Sequence, residues 1–192
     1  REGMQRFGID VSHALGVSIP ALRALGKKIK KDHALALALW ESGCHEARIL
    51  ASIIDDPALV TTRQIDAWVK EFNSWDLCDQ VCGNLFDRTA FAVEKAIAFS
   101  KRKEEFVKRA GFVLMAEYAV HNKKAEDEVF LSFLPLIEKE AHDDRNFVKK
   151  AVTGPCVRSV KGMRVCGRRL SLQRSVFCSR TARRRNGSPG MR

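Results

Sequence analysis

Trp75 and Asp79, in the segment Ser74-Trp-Asp-Leu-Cys-Asp79, stand four residues apart. On a helix that spacing puts them on one face. An aromatic wall beside a carboxylate suits a site that stabilises a developing cation, because the ring face and the negative charge both attract positive character. The same spacing fits a core Trp beside a solvated Asp, and it leaves both readings open. Arg109 lies three residues past Phe106, and its planar fork suits either a phosphate clamp or a pairing with an acidic neighbour. Other candidates are weaker. Cys78 and Cys82 share a helical face, but no second pair stands at metal-site spacing and buried structural thiols are commoner. The five His form no ligand pattern, and His121 and His142, near expected helix ends, suit contacts with terminal carbonyls. There is no P-loop, dinucleotide fingerprint or nucleophile elbow, so no metal and no cofactor is expected.

The elements that must position these residues are helical. Apolar residues recur at three- and four-residue spacing up to about residue 152, with no alternating strand pattern. Ser18 and Pro20 open a helix through Leu22, Leu25 and Ile29. Asp32 caps the next, Ala34 to Trp40, whose Ala/Leu run reads as core. Gly43 breaks the chain before a helix from His45 to Ile54, which ends at Asp55-Asp56-Pro57. Thr61 and Gln64 have capping-box spacing ahead of Ile65, Trp68 and Phe72, and Ser74 caps a helix from Trp75 through Phe86. Further helices are expected at about 90–99, 103–120, 125–139 and 142–152.

These helices pair. Related segments begin at His45, Trp75, Phe106 and Phe147, which are 30, 31 and 41 residues apart, and Phe106-Val-Lys-Arg-Ala110 nearly repeats as Phe147-Val-Lys-Lys-Ala151. Helix pairs recurring at such intervals indicate an all-α, HEAT-like superhelix (an α-solenoid), in which each pair buries its apolar face by stacking on its neighbours. The second helix of each pair lines the concave side, so Arg48, Arg109 and Lys150 are expected to face one groove.

The chain has 192 residues, is 45% hydrophobic and carries a net charge of +11. It is long enough for a real core, which excludes disordered and collagenous classes. With no apolar run of membrane length and no signal segment, it is expected to be a cytoplasmic protein, nucleoid-associated in one version of that expectation, with reduced thiols. Arg rather than Met at position 1 points to a fragment or processed product. The charge is uneven: residues 153–192 hold ten Arg, one Lys and no Asp or Glu, and the remaining basic residues balance the 23 acidic ones. Two regions are therefore expected, a structured domain over 1–152 and a basic, poorly ordered tail over 153–192.

Seven segments taken together resemble the AlkD-like DNA alkylation repair family. They are Arg6-Phe-Gly-Ile9, Ala14-Leu-Gly-Val-Ser18, Leu39-Trp40, His45-Glu-Ala-Arg-Ile-Leu-Ala51, Trp75-Asp-Leu-Cys-Asp79, Glu105-Phe-Val-Lys-Arg-Ala110 and Arg145-Asn-Phe-Val-Lys-Lys-Ala-Val152. The resemblance covers about residues 4–152. It implies a HEAT-like superhelix and hydrolysis of the glycosidic bond of cationic alkylated purines in duplex DNA, such as N3-methyladenine and N7-methylguanine, without flipping the base. It implies further that Asp79 is the catalytic Asp, that Trp75 packs on the lesion's deoxyribose, and that Arg109 holds the DNA backbone. Lys108, Arg48 and Lys150 are the other basic positions expected to meet DNA. The expected partner is double-stranded DNA carrying alkylated bases, met by a monomer.

One departure stands at the end of the match. The family places a second Trp in a pattern like Asn-Trp-Ala-Leu-Arg directly after the last matching helix, where this chain reads Thr153-Gly-Pro-Cys-Val-Arg-Ser-Val-Lys-Gly162. Back-translated and shifted by one base, that run permits Asn-Trp-Ala-Leu-Arg-Ser-Ile-Gly-Lys-Arg. Residues 153–192 are therefore expected to be an out-of-frame translation, leaving the solenoid incomplete at its C-terminal end. Two rival functions remain: a noncatalytic HEAT-like scaffold binding distorted DNA or protein, and an inactive truncated family member.

Overall fold

The computed structural model describes residues 9, 12–140 and 143–152. The order is α1 (Ile19–Ile29), α2 (His33–Glu41), α3 (His45–Ile54), α4 (Thr62–Lys70), α5 (Trp75–Asn84), a 3-10 turn (Phe86–Arg88), α6 (Ala92–Ser100), α7 (Glu105–His121) and α8 (Asp127–Glu140), followed by helical residues 146–152. The described residues include no strand, so the architecture is all-α. The expected tail, with its Gly154-Pro155 break and the alternate-frame reading, lies outside the described residues, as does His142.

Local chemistry sets the boundaries. Pro20 occupies the first turn of α1, where no backbone donor is lost to the helix. The Asp32 carboxylate accepts the Leu35 N–H, and the Thr61 hydroxyl accepts that of Gln64. The capping box at Thr61 closes on one side only, because the Gln64 amide donates at 2.7 Å to Asp55 instead of turning back. Ser18 and Ser74 hold the cap positions of α1 and α5 without a side-chain cap bond. Helix α5 stops at Asn84, short of the expected Phe86, where the chain tightens into the 3-10 turn. Gly43, at a φ of 68°, takes the left-handed turn between α2 and α3 that a side chain would resist.

The helices form two layers. Helices α1, α3, α5 and α7 stack on one another in that order, while α2 packs on α3 and α6 on α7. Of the Ala34–Trp40 run only Ala36 and Trp40, one helical turn apart, are buried, whereas Leu35 and Leu37 are exposed, because α2 is an outer helix with one covered face. Trp40 stacks on Trp68 with ring centroids 3.9 Å apart, tying α2 to α4. At the tightest crossing, Gly111 of α7 lies so close to α6 that an added Cβ would stand 2.3 Å from the Ser100 backbone nitrogen.

Candidate functional site

Polar bonds run along the stacked layer. Glu46, at the start of α3, accepts the backbone N–H groups of Leu15 and Gly16 at 2.8 and 2.6 Å, fixing the chain ahead of α1. His45 Nε2 meets Asp76 Oδ2 at 2.9 Å, joining the first turns of α3 and α5. Asn84 donates to Ser52 at 3.2 Å, joining their far ends. Cys78 and Cys82 are buried free thiols facing the Phe106 and Ala110 carbonyls of α7.

Asp79 and Arg109 come together across α5 and α7. Arg109 Nε donates to Asp79 Oδ1 at 2.9 Å, and a terminal nitrogen donates to Oδ2 at 2.7 Å. The other terminal nitrogen donates to the Phe147 carbonyl at 2.6 Å, which ties helical residues 146–152 to the pair. The guanidinium carbon lies 5.9 Å from the Trp75 ring centroid. The Arg109 side chain is 7% exposed and that of Asp79 33% exposed, so Asp79 is the more open member of the pair. Burial pushes the Asp79 carboxyl above its ordinary value, against the downward pull of Arg109, and the charges of Glu117 and Asp76 add to the rise. Trp75, Asp79 and Arg109 thus form one cluster: an aromatic face, a raised and partly open carboxylate, and a cation holding that carboxylate by two points.

The other expected DNA contacts stand differently. Arg48 is paired with Glu71, lies 5.0 Å from the Trp40 ring centroid and donates to the Trp40 carbonyl. The Lys108 ammonium is held at 2.5 Å by Glu140 and at 3.5 Å by Asp143. Asp143 is itself kept at a pKa of about 2, chiefly by its hydrogen bonds with Arg145. Lys150 is exposed. The charges of Arg48 and Lys108 are therefore matched within the protein, by acids the repeat alignment did not bring into view. His121 meets the buried Asp87 carboxylate, not the helix-terminal carbonyls expected from its position.

A sequence model of the family described as DNA alkylation repair enzyme matches residues 1–158. The chain belongs to that family. A solved structure described as "A new family of proteins related to the HEAT-like repeat DNA glycosylases with affinity for branched DNA structures" is similar over 94% of this chain and 90% of its own, with a TM-score of 0.72 and 18% identity. At that identity the likeness shows the fold, a HEAT-like helical repeat. No curated protein matches the chain significantly. The family match extends over Trp75, Asp79 and Arg109 and over the helical residues 146–152 that Arg109 binds. No helix among the described residues is long and apolar enough to cross a membrane.

A further group of cations lies on α1 and at its end. Arg23, Lys27, Lys28 and Lys30 are exposed. In sequence they fall in a run without a carboxylate from Ser12 to Lys31, less extreme than that of residues 153–192.

Proposed function

We propose that the chain hydrolyses the N-glycosidic bond of cationic alkylated purines in duplex DNA, without base flipping, at the face formed by Trp75 and Asp79. The observation that carries this reading is the partly exposed Asp79, whose carboxylate is held by both oxygens to Arg109 beside the Trp75 ring. An N-alkylated purine is a positively charged leaving group. When its bond to C1′ breaks, the electron pair moves onto the purine and cancels that charge, while positive character builds on the sugar. A preformed carboxylate aimed at the sugar stabilises that character, and an aromatic face beside it does the same. Water then adds to C1′, and Asp79 can take the proton that water releases. Asp79 and Trp75 are the catalytic residues in this scheme. Arg109 fixes Asp79 and, with the N–H groups its partners leave unused, can reach a phosphate oxygen.

The test compares release of free methylpurines from methylated duplex DNA by the parent and by Asp79→Asn. Asn keeps the shape and removes the charge. Release is expected to fall by about 100- to 1,000-fold, while duplex affinity changes little. The description of the structural neighbour favours a second reading, a noncatalytic scaffold for branched DNA. That reading predicts no release by the folded parent and tighter binding to a four-way junction than to a duplex.

A further inference from the structure

Among the described residues of the stacked layer, the uncompensated positive charge lies on helix α1 and on Lys30 just after it. From Ser12 to Lys31 there are five Lys or Arg and no Asp or Glu. Lys31 is used internally, donating to the carbonyls of Ile53 and Asp55. Among the described residues, no carboxylate lies within ion-pairing distance of Arg23, Lys27, Lys28 or Lys30. The cations of α3 and α7 behave oppositely, with Arg48, Lys108 and Arg109 all paired. A helix dipole accounts for basic residues in a last turn, such as Lys27 and Lys28, but not for Arg23 in the middle. Lys30 follows the last turn of α1 and closes it at a φ of 67°, its backbone N–H donating to the Gly26 carbonyl.

We propose that Arg23, Lys27, Lys28 and Lys30 form a phosphate-binding surface that grips the DNA backbone away from the catalytic face. This rests on the reading of the protein as a DNA-binding repair enzyme and adds to it where the nonspecific grip resides. Helix α1 is two helix steps from α5, through α3. At about 8–10 Å per step, that is roughly 16–20 Å. With phosphates about 3.4 Å apart along each strand, the surface meets the duplex roughly five or six nucleotides from the lesion. The arrangement separates two tasks. Arg109 and Lys108 keep the site's geometry through internal pairs, and α1 supplies the attraction that those pairs have neutralised elsewhere.

The experiment measures affinity for a methylated duplex at several NaCl concentrations, for the parent, for R23Q/K27Q/K28Q/K30Q, and for a control with the same charge change, K70Q/K101Q/K124Q/K139Q. Each lost phosphate contact lowers the slope of log K against log salt by about 0.9. The α1 variant is expected to lose between about 1.8 and 3.6 of slope, corresponding to two to four contacts, and the control much less. Circular dichroism of each protein shows that it is folded. Equal losses in both variants would reduce the effect to net charge and overturn the surface. An unchanged slope in the α1 variant would overturn it directly. A folded parent with no affinity for any duplex would remove the DNA reading itself, a different failure from a parent that binds but ignores α1. Truncating the duplex to three base pairs beyond the lesion, on each side in turn, supplies a second readout. On one side only, the α1 variant and the parent are expected to become equal.

Discussion

His45 Nε2 and Asp76 Oδ2 lie 2.9 Å apart, linking the first turn of α3 to the first turn of α5 beside Trp75. The side chains are 4% and 15% exposed, and the other Asp76 oxygen has no hydrogen-bond partner among the described residues. Burial pushes the Asp76 carboxyl up, but opposing influences led by the bond and charge of His45 outweigh it and leave the carboxyl below its ordinary 3.8. A depressed acid stabilises the fold above its unfolded value and ceases to do so as pH falls through its folded value. The contribution is therefore present at neutral pH and fades below about pH 3.8. His45→Ala is expected to cost about 1–3 kcal/mol at pH 7, by leaving a buried carboxylate without its donor. Urea unfolding at pH 7 and pH 3 checks this: the gap between parent and variant should narrow at the lower pH.

Arg109→Gln removes the cation that restrains Asp79. The carboxyl, already raised by burial, is expected to rise further. Because the proposed chemistry needs the ionised form, the acid limb of the pH–rate profile should move to higher pH and the plateau rate fall by about tenfold or more. Arg109→Lys keeps the charge but not the two-point geometry, and is expected to restore the pH profile better than the rate. Single-turnover base release across pH separates the two effects.

Gly111→Ala and Gly26→Ala distinguish backbone from side-chain crowding. A Cβ at Gly111 meets the Ser100 backbone nitrogen at 2.3 Å and the Ala96 carbonyl oxygen at 2.9 Å, so the α6–α7 crossing has to open. A Cβ at Gly26 meets the Ile53 side-chain Cγ2 at 2.5 Å, where a rotamer change relieves part of the clash. Gly111→Ala is expected to destabilise by about 3 kcal/mol or more, and Gly26→Ala by about 1–2 kcal/mol. Thermal unfolding followed at 222 nm, a helix-reporting wavelength, gives the ranking.

The coding DNA of residues 153–192 is expected to read Asn-Trp-Ala-Leu-Arg when the frame is shifted back by one base from Thr153. Sequencing it is the check, and absence of a Trp codon overlapping Gly154 sinks the idea. If the codon is present, a chain made in the restored frame should release methylpurines faster than this chain, because a second aromatic wall joins Trp75.

Sequence by itself determined the all-α class, most helix boundaries and the placing of Trp75 and Asp79 on one helical face. Those features depend on spacing and local capping, such as Asp32 to Leu35 and Thr61 to Gln64, which short-range physics fixes within a turn or two of helix. It also showed that the segments beginning at His45, Trp75 and Phe106 repeat, which is enough to align α3, α5 and α7 in one layer. Tertiary structure alone decided which charges remain available. Arg48 and Glu71 are 23 residues apart, Asp79 and Arg109 30, and Lys108 and Glu140 32. Ion pairs at such separations form only where packing brings two helices together, and no local pattern announces them. The same packing left Arg23, Lys27 and Lys28 of α1, and Lys30 just after it, without acidic partners among the described residues, because the helix stacked on α1 is α3, whose one Glu is already committed to the Leu15 and Gly16 backbone.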